Sequence, residues 1–441
     1  MDVTTSPAAQ VWGTPAQGLF GATLGFFIGF AAVSLFGPTV RYLETAAGLT
    51  PALAGLLIAI PNLSGSLLRI PFSAMVDTTG GRRPFLVLLG LSILGLAGIS
   101  LLLNIGNASL ARLFPLLLVF GVLGGSGIAT FSVGISQTSY WFPRSRQGLA
   151  LGTYAGIGNL APGIFALLLS LVAIPALGLE GSYLAWLALL AVGTGAYALF
   201  GRNAWYFQLR QRGMAPEAAR RIAQEAYGQE LFPKGRVSES LKASAAVWQT
   251  WALVGVYFTT FGGFMALTGW LPRYWAAFHG TSLQVAGLLT AAYSILASLA
   301  RVEGGRLSDR IGGIRTAGLA LALSVVGAIL MSTAFTLPLA VGAVLVMAVG
   351  MGIGNAAVFK LVPEVVPEAV GGAAGWIGGL GAFGGFVIPN LLAAFVPSGI
   401  AADPGYARGF AVLVVLDVLA IGIVWVLHRR GRRVGDVSRG S

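Results

Sequence analysis

Cysteine is missing altogether and histidine occurs only twice in this chain of 441 residues. Without cysteine there is no disulfide framework and no thiolate metal centre. His279 and His428 sit at the ends of apolar stretches and form no cluster that would hold zinc or haem. Charge is scarce too. Only 10% of residues are charged, against about 25% in a typical soluble domain, too few to cover a surface facing water. Fifteen acidic residues oppose 27 Lys and Arg. No nucleophile–base set, metal cluster or phosphate-cradling loop supports an enzyme, and no cofactor is implied.

What the chain has instead is apolar length. Hydrophobic residues make up 56%, and 64 glycines suit close helix contacts in lipid more than loops. Apolar stretches of about 20 residues, the length that crosses about 30 Å of hydrocarbon, recur along the chain. Twelve spans are expected, at 18–38, 50–75, 84–104, 110–138, 148–175, 180–201, 247–271, 282–305, 316–335, 337–361, 370–397 and 407–428. The fold class expected is therefore all-α integral membrane, with the lipid bilayer as solvent. The polar start has no basic n-region or small-residue cleavage site, so no cleaved signal peptide is expected.

The net charge of +12 is placed for membrane orientation and not for nucleic acid. With the N-terminus in the cytoplasm, the cytoplasmic loops and tail hold 21 Lys and Arg, and the opposite loops hold four: Arg41, Arg112, Arg273 and Arg408. That asymmetry predicts a multi-pass protein of the cytoplasmic (inner) membrane with both termini cytoplasmic.

Residues 202–246 form the one long polar segment, with a short amphipathic helix expected over 215–230. It divides the chain into an N-terminal six-helix bundle (1–201), a cytoplasmic linker (202–246), a C-terminal six-helix bundle (247–428) and a basic cytoplasmic tail (429–441). The halves echo each other. Arg69 precedes Asp77 by eight residues, and Arg301 precedes Asp309 by eight. Phe131 and Phe359 follow the glycine-rich stretches 124–127 and 350–354, and glycine stripes start at Gly152 and Gly375. Such repetition marks carriers whose two bundles rock around a midplane site.

Arg69 and Arg301 each lie inside a span, and a guanidinium cannot shed its charge there. Carboxylates at that depth are few: Asp417, and Glu303 two residues from Arg301 on another side of its helix. Two buried cations with too few carboxylates predict that an anion completes the site. The alternative is an arginine satisfied by backbone carbonyls at a helix break near Pro61 or Pro71. Phe131 and Phe359 could close on a thin planar anion while the arginines bind its edges, or they could be ordinary core aromatics. Asn159 could donate to an anion oxygen or bond a neighbouring helix, and Tyr257 has the same two readings. Gly152, Gly156 and Gly163 fall on one helix face, as do Gly378, Gly381 and Gly385, where helices could approach and slide. Glu303 and Asp417 are the candidates for proton coupling.

Several motifs together resemble the nitrate/nitrite porter (NarK-type) family of the major facilitator superfamily. Asp309-Arg310-Ile-Gly312-Gly-Ile-Arg315 is similar to the superfamily's loop signature, while Asp77-Thr-Thr-Gly80-Gly-Arg82-Arg83 departs from it with Ser73 and Thr78. Leu68-Arg69-Ile70-Pro71, Gly152-Thr-Tyr-Ala-Gly156-Ile-Gly158-Asn159 and the run Gly375–Phe386 resemble the family's own motifs, and Gly354-Asn355-Ala-Ala-Val-Phe359-Lys360 adds another match. The resemblance implies a major facilitator fold, transport of nitrate and nitrite anions, and binding by Arg69, Arg301, Phe131, Phe359, Asn159 and Tyr257. It implies gate charges at Asp77, Arg82, Asp309 and Arg310, and signature glycines that include Gly158. After Asn159, Leu-Ala-Pro-Gly departs from the family's glycine-rich pattern. The expected coupling is nitrate/nitrite exchange, with proton symport or carriage of another small anion as the alternatives, and the protein is expected to work as a monomer.

Overall fold

The computed structural model describes residues 11–36, 39, 51–104, 112–233, 235–396 and 403–437. Arg41, Lys234 and the end of the basic tail lie outside the described residues. Among those described, every regular element is helical, as expected where backbone groups must be satisfied without water.

Among the described residues, helices cover the twelve expected spans. They are α1 (Pro15–Phe36), α2 (Pro51–Thr79), α3 (Arg82–Asn104) and α4 (Phe114–Trp141), then α5 (147–177) and α6 (179–200). The second set is α7 (Trp248–His279), α8 (Leu283–Ile311), α9 (Gly313–Ser332), α10 (Leu337–Val365), α11 (Val370–Ala393) and α12 (Gly405–Arg430). Ten stretches among the described residues are long and apolar enough to cross a membrane. Gly178, with φ of 69°, breaks the run that joins α5 to α6. Large apolar side chains are left open along these helices, including Leu101, Val192 and Leu288, which suits contact with lipid.

The helices carry local departures that matter for the site. α2 runs unbroken through Pro61 and Pro71, so the helix break considered for Arg69 does not occur. α4 tightens into a 3-10 turn at Ser126–Ala129 just before Phe131. α7 widens into a π-helical turn at Phe258–Gly262, directly after Tyr257. α5 breaks at Asn159-Leu160, ahead of Pro162, where the sequence departs from the family pattern.

The chain separates into two compact units. The first comprises residues 1–143, 157–243 and 367–375, and the second 144–156, 244–366 and 376–441. In the first, α3 packs on α4 and α6, and α2 on α4. In the second, α10 packs along both α8 and α9, and α9 along α12. The polar segment holds three helices, Trp205–Gln211, Pro216–Tyr227 and Val237–Ala246. The middle one is the expected amphipathic helix. It buries Ala219 and Ala223, and Tyr227 stacks on Trp205 at 5.4 Å.

Candidate functional site

In the first unit, α2 delivers Arg69 into the interior, where it is 2% exposed. Its guanidinium lies over the Phe131 ring of α4, 5.0 Å from the centroid, a favourable placement for a cation against a ring quadrupole. Phe131 in turn meets Phe26 of α1 at 5.2 Å. Gly158 leaves room for Phe26, since a Cβ on it would fall 2.0 Å from that ring. Asn159, buried at the break in α5, is the next residue. The structure thus brings Arg69 and Phe131 into contact and links them through Phe26 to the first glycine signature.

In the second unit, Arg301 of α8 is 1% exposed and lies over two rings of α7, Phe261 at 5.1 Å and Phe264 at 5.3 Å. Its Nε, Nη1 and Nη2 have no hydrogen-bond partner among the described residues. Tyr293 stacks on Phe264 at 5.9 Å. Tyr257 stacks on Phe261 at 4.8 Å, and Phe359 of α10 meets it edge-on at 4.8 Å. The wide π-helical turn separates Tyr257 from Phe264 and sets the rings in a row. A buried guanidinium with open N–H groups over an aromatic floor has the chemistry to hold a small anion.

The signature glycines divide by what they touch. A Cβ on Gly152 would lie 2.4 Å from the Arg301 carbonyl, and one on Gly156 would lie 2.7 Å from that of Ser298. In the first unit Gly375 stands in the same relation to α2, 2.8 Å from the Ile70 carbonyl and 3.2 Å from that of Arg69. A Cβ on Gly381 would lie 2.6 Å from Tyr257 and one on Gly385 would lie 2.9 Å from Met265; Gly378 is buried. Gly163 corrects the expectation, because a Cβ there would meet nothing within 4 Å.

A model of the Major Facilitator Superfamily matches residues 22–389. The chain belongs to that superfamily. Within it, named relatives place the chain in the nitrate/nitrite porter (NarK-type) branch. The chain is 31% identical over 395 residues to the probable nitrate/nitrite antiporter NarK1 of Thermus thermophilus, covering 84% of this chain and 83% of that one. It is 29% identical over 419 residues to the nitrite extrusion protein of Bacillus subtilis (strain 168), covering 95% and 96%. Among solved structures, the human organic anion transporter MFSD10 superposes with a TM-score of 0.67 at 18% identity, covering 94% of this chain and 100% of that one. That likeness supports the major facilitator fold of two helix bundles.

In this superfamily member the two acidic loops are held differently. Asp77 is buried and accepts from neutral donors: Tyr140 Oη at 2.6 Å, Ser240 Oγ, and the backbone N–H groups of Gly371 at 3.0 Å and Gly372 at 3.4 Å. Asp309 accepts from the backbone N–H groups of Gly148 and Leu149, both at 2.8 Å, and pairs with the buried Lys360 at 2.9 Å. Lys360 also donates to the Arg144 carbonyl. Gly80 and Gly312, each three residues after its Asp, adopt φ of 74° and 88° to end α2 and α8.

The basic followers expected as gate charges stand apart from these contacts. Arg82 donates to the Ala198 carbonyl at 2.7 Å, and Arg310 is exposed. Lys360 is the cation that sequence reasoning missed, although it stands in a quoted motif. Glu303 is a further correction. It pairs with Arg306 on an open face, with its side chain 65% exposed, and is not a buried carboxylate. Asp417 is fully buried, as expected, with the Ser324 hydroxyl as its polar neighbour. Phe261, Phe264 and the buried Asn355 are site neighbours that sequence reasoning did not assign.

Proposed function

We propose that this chain carries nitrate and nitrite across the cytoplasmic membrane by alternating access, with Arg69 and Arg301 as its anion-binding residues. The observation that carries the reading is Arg301, buried among aromatic rings with three nitrogens that lack a partner among the described residues. A permanent cation in that setting is completed by an anion, and a planar oxyanion matches the guanidinium edge. The printed names of the relatives, an antiporter and a nitrite extrusion protein, support nitrate and nitrite as that anion.

Phe131, Phe359, Asn159 and Tyr257 complete the proposed site. Phe131 contributes the ring beneath Arg69, and Phe359 and Tyr257 form the aromatic wall near Phe261. Residues 1–201 and 247–428 act as the two bundles, joined by 202–246, with Asp77 and Asp309 as gate charges. The excess of Lys and Arg in one set of loops supports cytoplasmic termini and argues against a nucleic-acid partner. We take the working unit as a monomer with no cofactor.

Exchange is the proposed mode. Proteoliposomes loaded with nitrate should accumulate labelled nitrite without a pH gradient. Uptake that needs an imposed proton gradient would instead favour symport. One observation speaks for that second reading: Asp417, a carboxylate fully buried within the second unit, is a group able to gain and lose a proton.

A further inference from the structure

α10 carries a further buried polar group without a partner among the described residues. Asn355 is 2% exposed, and neither its Oδ1 nor its Nδ2 has a hydrogen-bond partner among the described residues. The ordinary fate of a helical asparagine in lipid is a bond to the carbonyl four residues back. Among the described residues, Asn104 donates in this way to the Ser100 carbonyl at 2.7 Å and Asn390 to the Phe386 carbonyl at 2.7 Å. Asn355 makes no such bond. An unmade hydrogen bond away from water costs several kcal/mol, so an amide left open there is held open by what it meets in another state.

Its neighbours say where it faces. Met351, Asn355 and Phe359 recur every four residues and lie on one stripe of α10. Met351 Sδ accepts from the Tyr293 hydroxyl at 3.2 Å, and Phe359 meets Tyr257 at 4.8 Å. Tyr257 stacks on Phe261 at 4.8 Å and Tyr293 on Phe264 at 5.9 Å, the two rings beneath Arg301. Asn355 therefore lies between two residues that both touch the shell of Arg301. Gly354, one position back, packs on Thr260 in the π-helical turn of α7.

We infer that Asn355 is a further anion-binding residue, donating its Nδ2–H to an oxygen of the oxyanion held by Arg301. The inference rests on the proposed function and adds the donor that sets oxygen recognition. A neutral amide suits the task. It contributes a hydrogen bond when the anion is present and adds no charge to be balanced when the site is empty.

The test is nitrate/nitrite counterflow in proteoliposomes, with thermal midpoints measured with and without nitrate, for the wild type, Asn355→Ala, Asn355→Ser and Arg301→Lys. Asn355→Ala should raise the KM for nitrate by roughly tenfold or more, the worth of a hydrogen bond to a charged group. It should also change the ratio of nitrate to nitrite KM and keep the nitrate-free midpoint of the wild type. Asn355→Ser, which keeps a donor, should fall between the two, and it replaces the alanine variant if that does not fold. A lowered midpoint with unchanged KM, or no change at all, overturns the role of Asn355 and leaves the proposed function standing. A wild type with neither counterflow nor a nitrate-dependent midpoint overturns both.

Discussion

Gly152 abuts the backbone of Arg301: a Cβ on the glycine would stand 2.4 Å from the arginine's carbonyl oxygen. That carbonyl belongs to helix backbone and cannot swing aside like a side chain, so the contact fixes how closely the first half of α5 lies on α8. Gly152→Ala is expected to destabilise the protein by about 1–3 kcal/mol, the usual cost of overpacking. It should also raise the KM for nitrate by displacing Arg301. Gly163→Ala should do neither, because the added methyl meets open space. Thermal midpoints and counterflow on the two variants check the pair, and equal behaviour would remove the mechanical role given to Gly152.

Arg301→Lys and Arg69→Lys are expected to abolish transport while the protein folds normally. A point ammonium cannot reproduce a planar fork of donors. Arg301 also loses its stacking on Phe261 and Phe264, a contact worth about 2 kcal/mol where water is excluded. Counterflow of the purified variants, with midpoints as the folding control, decides this. Wild-type uptake by either one counts against the site.

Lys360 and Asp309 form an ion pair with little solvent exposure, their side chains 5% and 13% exposed. Removing one partner of a fully buried pair strands the other at a cost of about 3–5 kcal/mol; here Lys360 keeps Glu364 at 3.7 Å, so the loss of Asp309 should cost less than the loss of Lys360. Lys360→Met and Asp309→Asn should each lower the midpoint sharply, while the double variant recovers part of the loss. A double-mutant cycle in detergent measures the coupling. Additive losses would mean that the pair contributes nothing as a pair.

Asp417→Asn separates the two coupling modes. Under exchange, the variant keeps nitrate/nitrite counterflow at the wild-type rate, since no proton moves. Under symport through Asp417, uptake driven by a pH gradient disappears while counterflow persists. The corresponding change at Glu303, which is exposed and paired with Arg306, should affect neither assay.

The class of the protein, its twelve spans and the two buried arginines were legible in the residues themselves. Lipid as solvent leaves a signature in composition and segment length, and an arginine inside an apolar run is conspicuous wherever its helix packs. The repeat of Arg69 and Asp77 in Arg301 and Asp309 was legible for the same reason. Which neighbours those charges meet was not. That Arg301 rests on Phe261 and Phe264, that Lys360 and not Arg310 holds Asp309, and that Gly152 is crowded while Gly163 is free depend on how each helix is rotated and on a single π-helical turn in α7. Such rotations arise from packing between segments distant in the chain. The sequence by itself determined the solvent, the spans and where charge is buried, while only the tertiary structure decided which buried groups stay open to an anion.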